Sequence, residues 1–365
     1  MDFALTLEQR QFDDSLRDFL KDRLPMERLR MLADTANGFD ESLWNGMIEL
    51  GLPGLLVPER FGGAGLGVLD AAVAAEALGY AAAPLAFTGS MAMAPLAFTL
   101  CASQAQQDEW LPQIAGGEVR FAVAYAGLAG QTGAASVTLD GGTLSGRIEG
   151  VMDASAATHY LVFGRDGVAS VVSADDPGVS TSLRRSIDRT RPLMDVSFNG
   201  AVAERLDAAN DPLAAARTVL DAGRVVLAGD TLGAAQTMLD RAVAFAKERV
   251  QFGRVIGSFQ GVKYMLADCV TALEPCRGMV WYAAYAQDAL PDEARLTACH
   301  AKAHVSDVAR DVARMTTEAH GGMGFTDLLG LHIWFKRIGF NRQILGTPER
   351  CREEAAQLQG WTLHV

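Results

Sequence analysis

Apolar side chains recur near helical period from the start of the chain, where Phe3, Leu5, Phe12, Leu16 and Phe19 mark one face of an expected helix. Helical spacing broken by glycine and proline continues to about residue 117. Residues 51–67, GLPGLLVPERFGGAGLG, interrupt it, because two prolines and a run of glycines rule out a continuous helix. From about residue 119 to 208 the pattern shifts to short runs such as VRFAVAY, HYLVFG and VASVVS, punctuated by Gly or Asp. These predict a small domain of β-hairpins, with turns at Asp140-Gly141 and Asp166-Gly167. Helical spacing returns at Pro212 and runs to Val250 without another proline. A helix of that length would extend about 55–60 Å. Its interior glycines, Gly223, Gly229 and Gly233, each cost about 0.8–1 kcal/mol relative to Ala. That cost is tolerable where a backbone or a ligand must come close. Further helices are expected over about 258–289 and 292–319 and after Pro348. The expected class is α+β, mainly α. It comprises an N-terminal helical domain over 1–117, a central β-barrel-like domain over 118–208 and a C-terminal four-helix bundle over 209–365.

Composition narrows the partners. Among 365 residues the net charge is −12, which argues against a nucleic-acid backbone but leaves room for a local basic pocket. The N-terminus lacks the basic, apolar and small-residue sections of a secretory signal, and no apolar run is long enough for a membrane span. Five cysteines without a CxxC spacing predict reduced thiols and a cytoplasmic protein.

Two segments carry candidate chemistry. In AFAKERVQFGRVIGSFQ, residues 244–260, Arg249 stands beside the Phe252-Gly253 turn, a seat for a phosphate through bidentate hydrogen bonds. Support of a helix C-terminus is the plainer reading of that Arg. In EAHGGMGFT, residues 318–326, clustered glycines let backbone N–H groups approach an anion or a ring. No strand precedes that segment, so a Rossmann reading fails.

Taken in order with the PERFGGAG turn at 58–65, these segments resemble the acyl-CoA dehydrogenase family from end to end. The phrase LLGLHIWFKR and the Leu345-Gly346-Thr347 turn resemble its branch acting on steroid side chains and other bulky acyl-CoAs. The resemblance implies FAD at a dimer interface and a tetrameric flavoprotein oxidoreductase that passes electrons to an electron-transfer flavoprotein. It also implies α,β-dehydrogenation of an acyl-CoA thioester, with a carboxylate removing the α-proton and the flavin accepting the β-hydride. Carried over, Arg249, Gln251 and Phe252 would meet the diphosphate and adenosine of a neighbouring subunit's FAD. Ile256 and Phe259 would pack nearby and Gly322 would approach the diphosphate. Thr347 and Tyr125 would lie beside the flavin.

The chain departs from the family where the proton is handled. The usual Glu-Gly-Thr turn reads Leu345-Gly346-Thr347, and the alternative base position before an Arg on the long helix is Gly223. The flavin loop reads Gly127-Leu128-Ala129-Gly130-Gln131, its Trp-Ile-Thr wall reads Gly150-Val151-Met152, and Glu318 and Glu349 add carboxylates near the diphosphate. Small or uncharged residues at 223 and 345 suggest a roomier cavity. Asp230, in the otherwise uncharged VVLAGDTLGAA, is the remaining candidate base, against the reading of an Asp satisfied by an Arg or amide in the bundle. Asp221 is a weaker candidate, expected in solvent. His300 and His304 stand at helical i, i+4 spacing with no third ligand, so no metal is expected, and His320 is either a cofactor neighbour or a turn-packing residue. Four readings follow. With a homotetramer or a heterotetramer with a homologous subunit expected, they are a dehydrogenase with an unusual base, a half-site partner subunit of a hetero-oligomer whose homologous subunit brings the base, another flavin-dependent oxidation or hydroxylation, and a cofactor-free bundle.

Overall fold

The computed structural model describes residues 4–35, 39–129 and 136–361, so Phe3, Gly130 and Gln131 lie outside the described residues. The first helix, α1 (Leu7–Arg23), starts at a capping box between Thr6 and Gln9 and buries Leu16 and Leu20. It is followed by α2 (Met26–Ala33), α3 (Glu41–Glu49), α4 (Val68–Tyr80), α5 (Ala94–Cys101) and α6 (Gln104–Ala115). The Gly/Pro-rich segment before α4 folds into two tight 3-10 turns, Leu52–Gly54 and Glu59–Phe61, in place of a helix.

The β region comprises β1 (Phe121–Tyr125), β2 (Ser136–Asp140), β3 (Thr143–Met152), β4 (His159–Phe163), β5 (Ala169–Ser173), β6 (Val179–Arg184), β7 (Leu193–Val202) and β8 (Glu204–Leu206). They form two four-stranded sheets, ordered β1-β4-β5-β8 and β2-β3-β7-β6. The two sheets pack on one another through Tyr160, Val162 and Val172 of one and Ile148, Val196 and Phe198 of the other without closing into a barrel. The β2–β3 hairpin pairs Asp140 with Thr143, so its turn residues are Gly141 and Gly142, both at positive φ (53° and 80°). Gly167, at φ 82°, turns the chain between β4 and β5.

The long helix α7 (Pro212–Glu248) is capped by Asp211, whose side chain accepts from the Ala214 N–H. It lies across α4, and two of its glycines explain how. A Cβ at Gly229 would stand 2.7 Å from the Ala72 carbonyl oxygen, and one at Gly233 would strike the Glu76 carbonyl. Backbone cannot move aside as a side-chain tip can, so these positions need glycine despite its helical cost. After the short strands β9 (Val250–Gln251) and β10 (Arg254–Val255) come α8 (Gln260–Ala289), α9 (Pro291–Ala319), α10 (Leu331–Gln343) and α11 (Pro348–Leu358). Helices α7 to α10 pack together, and α11 lies against α9. The sequence reading did not separate α10 as a helix. Buried residues on it include Leu331, Trp334, Arg337, Ile338 and Asn341, so apolar and polar side chains both point inward and no clean amphipathic period survives. Among the described residues no helix is long and apolar enough to cross a membrane.

Candidate functional site

The positions expected to hold a base meet at one point. Leu345, at φ 57° in the turn before α11, projects onto Gly223 of α7. A Cβ at Gly223 would lie 2.6 Å from the Met93 sulfur and 2.8 Å from Leu345 Cδ1. The expected roominess is therefore not found: the cavity beside Met93, Tyr125, Met152 and Leu345 measures about 10 Å³. That is near the lower limit for a single water. Tyr125 ends β1 inside this contact, stacked on Phe163 at 4.8 Å, and its hydroxyl donates to the Ala216 carbonyl at 3.4 Å. Thr347 caps α11, accepting from the Arg350 N–H at 3.3 Å.

Beside the closed contact lies a buried ionic cluster. Arg224 donates from Nε to the Leu345 carbonyl at 2.8 Å and from Nη1 to Asp221 at 2.9 Å. It also donates from Nη1 and Nη2 to the two oxygens of Glu354, at 2.8 and 3.1 Å. Asp221 is thus not the solvated residue expected: it is 3% exposed. Burial pushes its carboxyl up to about 6, against the opposing pull of Arg224 and Arg295.

Asp230 is committed elsewhere. Arg337 donates to both its oxygens, from Nε at 2.8 Å and Nη2 at 2.6 Å, and Asn341 Nδ2 donates to Oδ1 at 2.6 Å. Burial acts to raise its pKa, but the charge and hydrogen bonds of Arg337 outweigh burial and hold the carboxyl below its usual range. A general base needs the opposite tuning and a free lone pair. The base role considered for Asp230 therefore gives way to the other reading, an Asp satisfied by an Arg and an amide within the bundle. Arg337 also reaches the Ala83 carbonyl at 3.0 Å and the Thr190 hydroxyl at 3.2 Å, tying α7 and α10 to the chain after α4 and to the β6–β7 connection. The sequence signal for this node is Arg337 and Asn341 at i, i+4 in LHIWFKRIGFNRQ.

The other predicted residues gather at the far end of α7. Val250–Gln251 pairs with Arg254–Val255, and Phe252 and Gly253 make the turn at φ 53° and 78°. Phe252 is 92% exposed and meets Phe259 edge-on at 6.2 Å. The Ile256 N–H donates to the Arg249 carbonyl at 2.8 Å, closing the loop. Arg249 and Gln251 are exposed, and among the described residues the Arg249 guanidinium has no hydrogen bond or ion pair. The glycine turn stands beside this loop, because Phe245, one turn before Arg249, packs its ring on His320 at 4.6 Å. His320 Nδ1 lies 2.7 Å from the Thr316 carbonyl, so the imidazole is a turn-packing group. A Cβ at Gly322 would meet nothing within 4 Å, leaving its backbone open to a ligand. Glu318 is exposed, and Glu349 is paired with Arg342 at 2.6 Å.

The predicted residues thus form two groups at opposite ends of α7. Residues 212–248 are helical throughout, so Gly223 and the Arg249 loop lie about 39 Å apart at 1.5 Å per residue.

Comparison with known proteins accounts for this layout. Residues 6–118 match the acyl-CoA dehydrogenase N-terminal domain, and residues 211–358 match the acyl-CoA dehydrogenase C-terminal domain. The chain belongs to the acyl-CoA dehydrogenase family. Acyl-CoA dehydrogenase IpdE2 of Mycolicibacterium smegmatis is 28% identical over 334 residues, covering 91% of this chain and 92% of that one. Among solved structures of the family fold, a variant of the Tcur3481-Tcur3483 steroid ACAD superposes with a TM-score of 0.87 at 29% identity, covering 97% of this chain and 98% of that one. The ChsE4-ChsE5 complex from Mycobacterium tuberculosis gives 0.88 at 25% identity, with 100% of both chains covered.

Proposed function

We propose that this chain is the base-free partner subunit of a hetero-oligomeric acyl-CoA dehydrogenase, an assembly catalysing α,β-dehydrogenation of an acyl-CoA thioester. In this reading Arg249, Gln251, Phe252, Ile256, Phe259 and Gly322 hold the diphosphate and adenosine end of FAD, whose isoalloxazine lies on a homologous subunit. That subunit supplies the proton-abstracting carboxylate. FAD, when bound, serves as hydride acceptor.

The observation that carries the reading is the contrast between the two candidate half-sites. The outer loop has the features of a dinucleotide grip: a guanidinium unpaired among the described residues, an exposed aromatic ring and an open glycine backbone. The inner cleft does not fit an isoalloxazine, because Met93 and Leu345 fill it against Gly223. Among the described residues lining that contact none is a carboxylate, and Asp221 turns to Arg224 and Asp230 to Arg337. What the inner residues do is hold shape. Arg224 fixes the Leu345 carbonyl, and Thr347 starts α11. Two similar structures bear two-protein names, Tcur3481-Tcur3483 and ChsE4-ChsE5, which supports a heteromeric assembly. Since one of them is a steroid ACAD, fused-ring acyl-CoAs are the first substrates to try, with an electron-transfer flavoprotein as the electron acceptor.

The test is to purify the chain alone and together with a homologous subunit, then count flavins per chain and follow anaerobic bleaching by an acyl-CoA. The expected outcome is no flavin reduction alone and reduction in the mixed assembly. One FAD per chain, bleached by acyl-CoA without a partner, would overturn the reading in favour of a dehydrogenase with its own unusual base.

A further inference from the structure

Helices α9 and α11 come together through small side chains: Cys299 and Ala303 on one, Cys351 and Ala355 on the other, all buried in a single cluster. Such residues let two helix backbones approach closely, the condition a disulfide places on its Cα atoms. The surroundings favour a thiolate on Cys351 and not on Cys299, whose own thiol is pushed up by its hydrogen bond to Cys351 and by burial, with Asp221 adding to both. Arg224 Nη1 lies 3.5 Å and Glu354 Oε2 3.9 Å from Cys299 Sγ, and Lys302, one turn along α9 from Cys299, donates from Nζ to the Asn341 carbonyl at 2.6 Å, burial lowering its pKa to about 7. The Cys299 thiol interacts with the Cys351 sulfur, and together with Arg224 and Lys302 it outweighs burial to lower Cys351 to about 7. The remaining cysteines lack such company. Cys101 is on α5, Cys269 and Cys276 are on α8, and burial pushes each up to about 11.

We propose that Cys299 and Cys351 are a peroxide-sensitive dithiol that closes to a disulfide and fastens α11 to α9. The inference is independent of how flavin is held. The Cys351 thiolate attacks one oxygen of hydrogen peroxide, breaking the O–O bond to give a sulfenic acid and a hydroxide that leaves as water after taking up a proton. The Cys299 sulfur then attacks the Cys351 sulfur, forming the S–S bond and expelling a second water. Two thiols lose two electrons in all, and one peroxide becomes two waters. The disulfide secures the helix whose first turn follows Leu345-Gly346-Thr347, so oxidation stiffens the C-terminal end of the chain.

The experiment treats the native protein with equimolar hydrogen peroxide, quenches with catalase, unfolds it in guanidinium and titrates thiols. Of the five cysteines, two should disappear and return with dithiothreitol, and peptide mapping should give one crosslinked pair containing Cys299 and Cys351. The oxidised protein should melt higher, by on the order of 5 °C. In Cys299→Ser, dimedone should label Cys351 and no disulfide should form. Survival of all thiols, crosslinks through Cys101, Cys269 or Cys276, or oxidation of Cys351 to a sulfinic acid without crosslinking would each overturn the proposal. Mapping of the unmutated protein decides the matter even if the variant fails to fold.

Discussion

At Gly223, α7 meets Met93 and Leu345 with no space left between them, whereas at Arg249 the same helix releases a loop with an unpaired guanidinium and a phenyl ring in solvent. The first region is complete within the chain. Its two fully buried guanidinium groups have acceptors: Arg224 is taken by Asp221, Glu354 and the Leu345 carbonyl, and the neighbouring Arg337 by Asp230. The second region is incomplete, because a loop that exposes Phe252, Val250 and Val255 together leaves apolar surface uncovered. The difference teaches that residues matching one family site need not serve one site in one chain. A satisfied interior holds the fold, and an unsatisfied loop asks for something outside it.

Perturbing the satisfied side should give the largest effect. Asp230→Ala leaves Arg337 buried without its anion, and the expected loss is about 3–5 kcal/mol in urea denaturation. A loss under about 1 kcal/mol would mean the interior is not sealed by this pair. Next comes Leu345→Glu, which puts a carboxylate where the family usually has one. In a sealed contact it should cost about 3 kcal/mol and yield no acyl-CoA-dependent bleaching in the chain alone. Bleaching gained by that variant alone would break the comparison, since the cleft would then admit flavin and substrate.

On the open side, Arg249→Ala should leave the melting temperature unchanged while weakening FAD retention in the mixed assembly about 10–100-fold, the worth of a charge-assisted phosphate contact. Unaltered retention, measured by flavin fluorescence during dilution, would remove Arg249 from the dinucleotide grip. The smallest effect provides a yardstick away from both regions. Hydrogen bonds from Arg184, opposed by partial burial, lower Asp195 from the usual aspartate range to about 2. A depressed carboxylate stabilises the fold above its unfolded pKa and loses that contribution as pH falls, here from about 4 down to about 2. About 2 kcal/mol should disappear over that window. Asp195→Asn should flatten the dependence in acid titrations followed by circular dichroism, and an unchanged slope would show that Asp195 is not its source.

Much of this architecture was legible from residue order. The long proline-free run after Pro212 marked α7, helical spacing marked α8 and α9, and β-rich runs between Gly and Asp marked the strands, because each depends on neighbours close in sequence. The motifs around Arg249 and Gly322 were legible for the same reason, each being a short contiguous turn. Helix α10 was hidden, since its buried Arg337 and Asn341 interrupt the apolar stripe by which a helix is recognised.

What the tertiary structure alone decided were the pairings between distant positions. That Gly223 touches Leu345, that Asp230 answers to Arg337, and that Asp221 is buried on Arg224 are outcomes of how α7, α10 and α11 pack. The sequence showed that no carboxylate occupies the usual places. It could not show that the space there is filled, because whether a missing side chain leaves a cavity depends on what its neighbours do, and close packing brings Met93 and Leu345 into the gap.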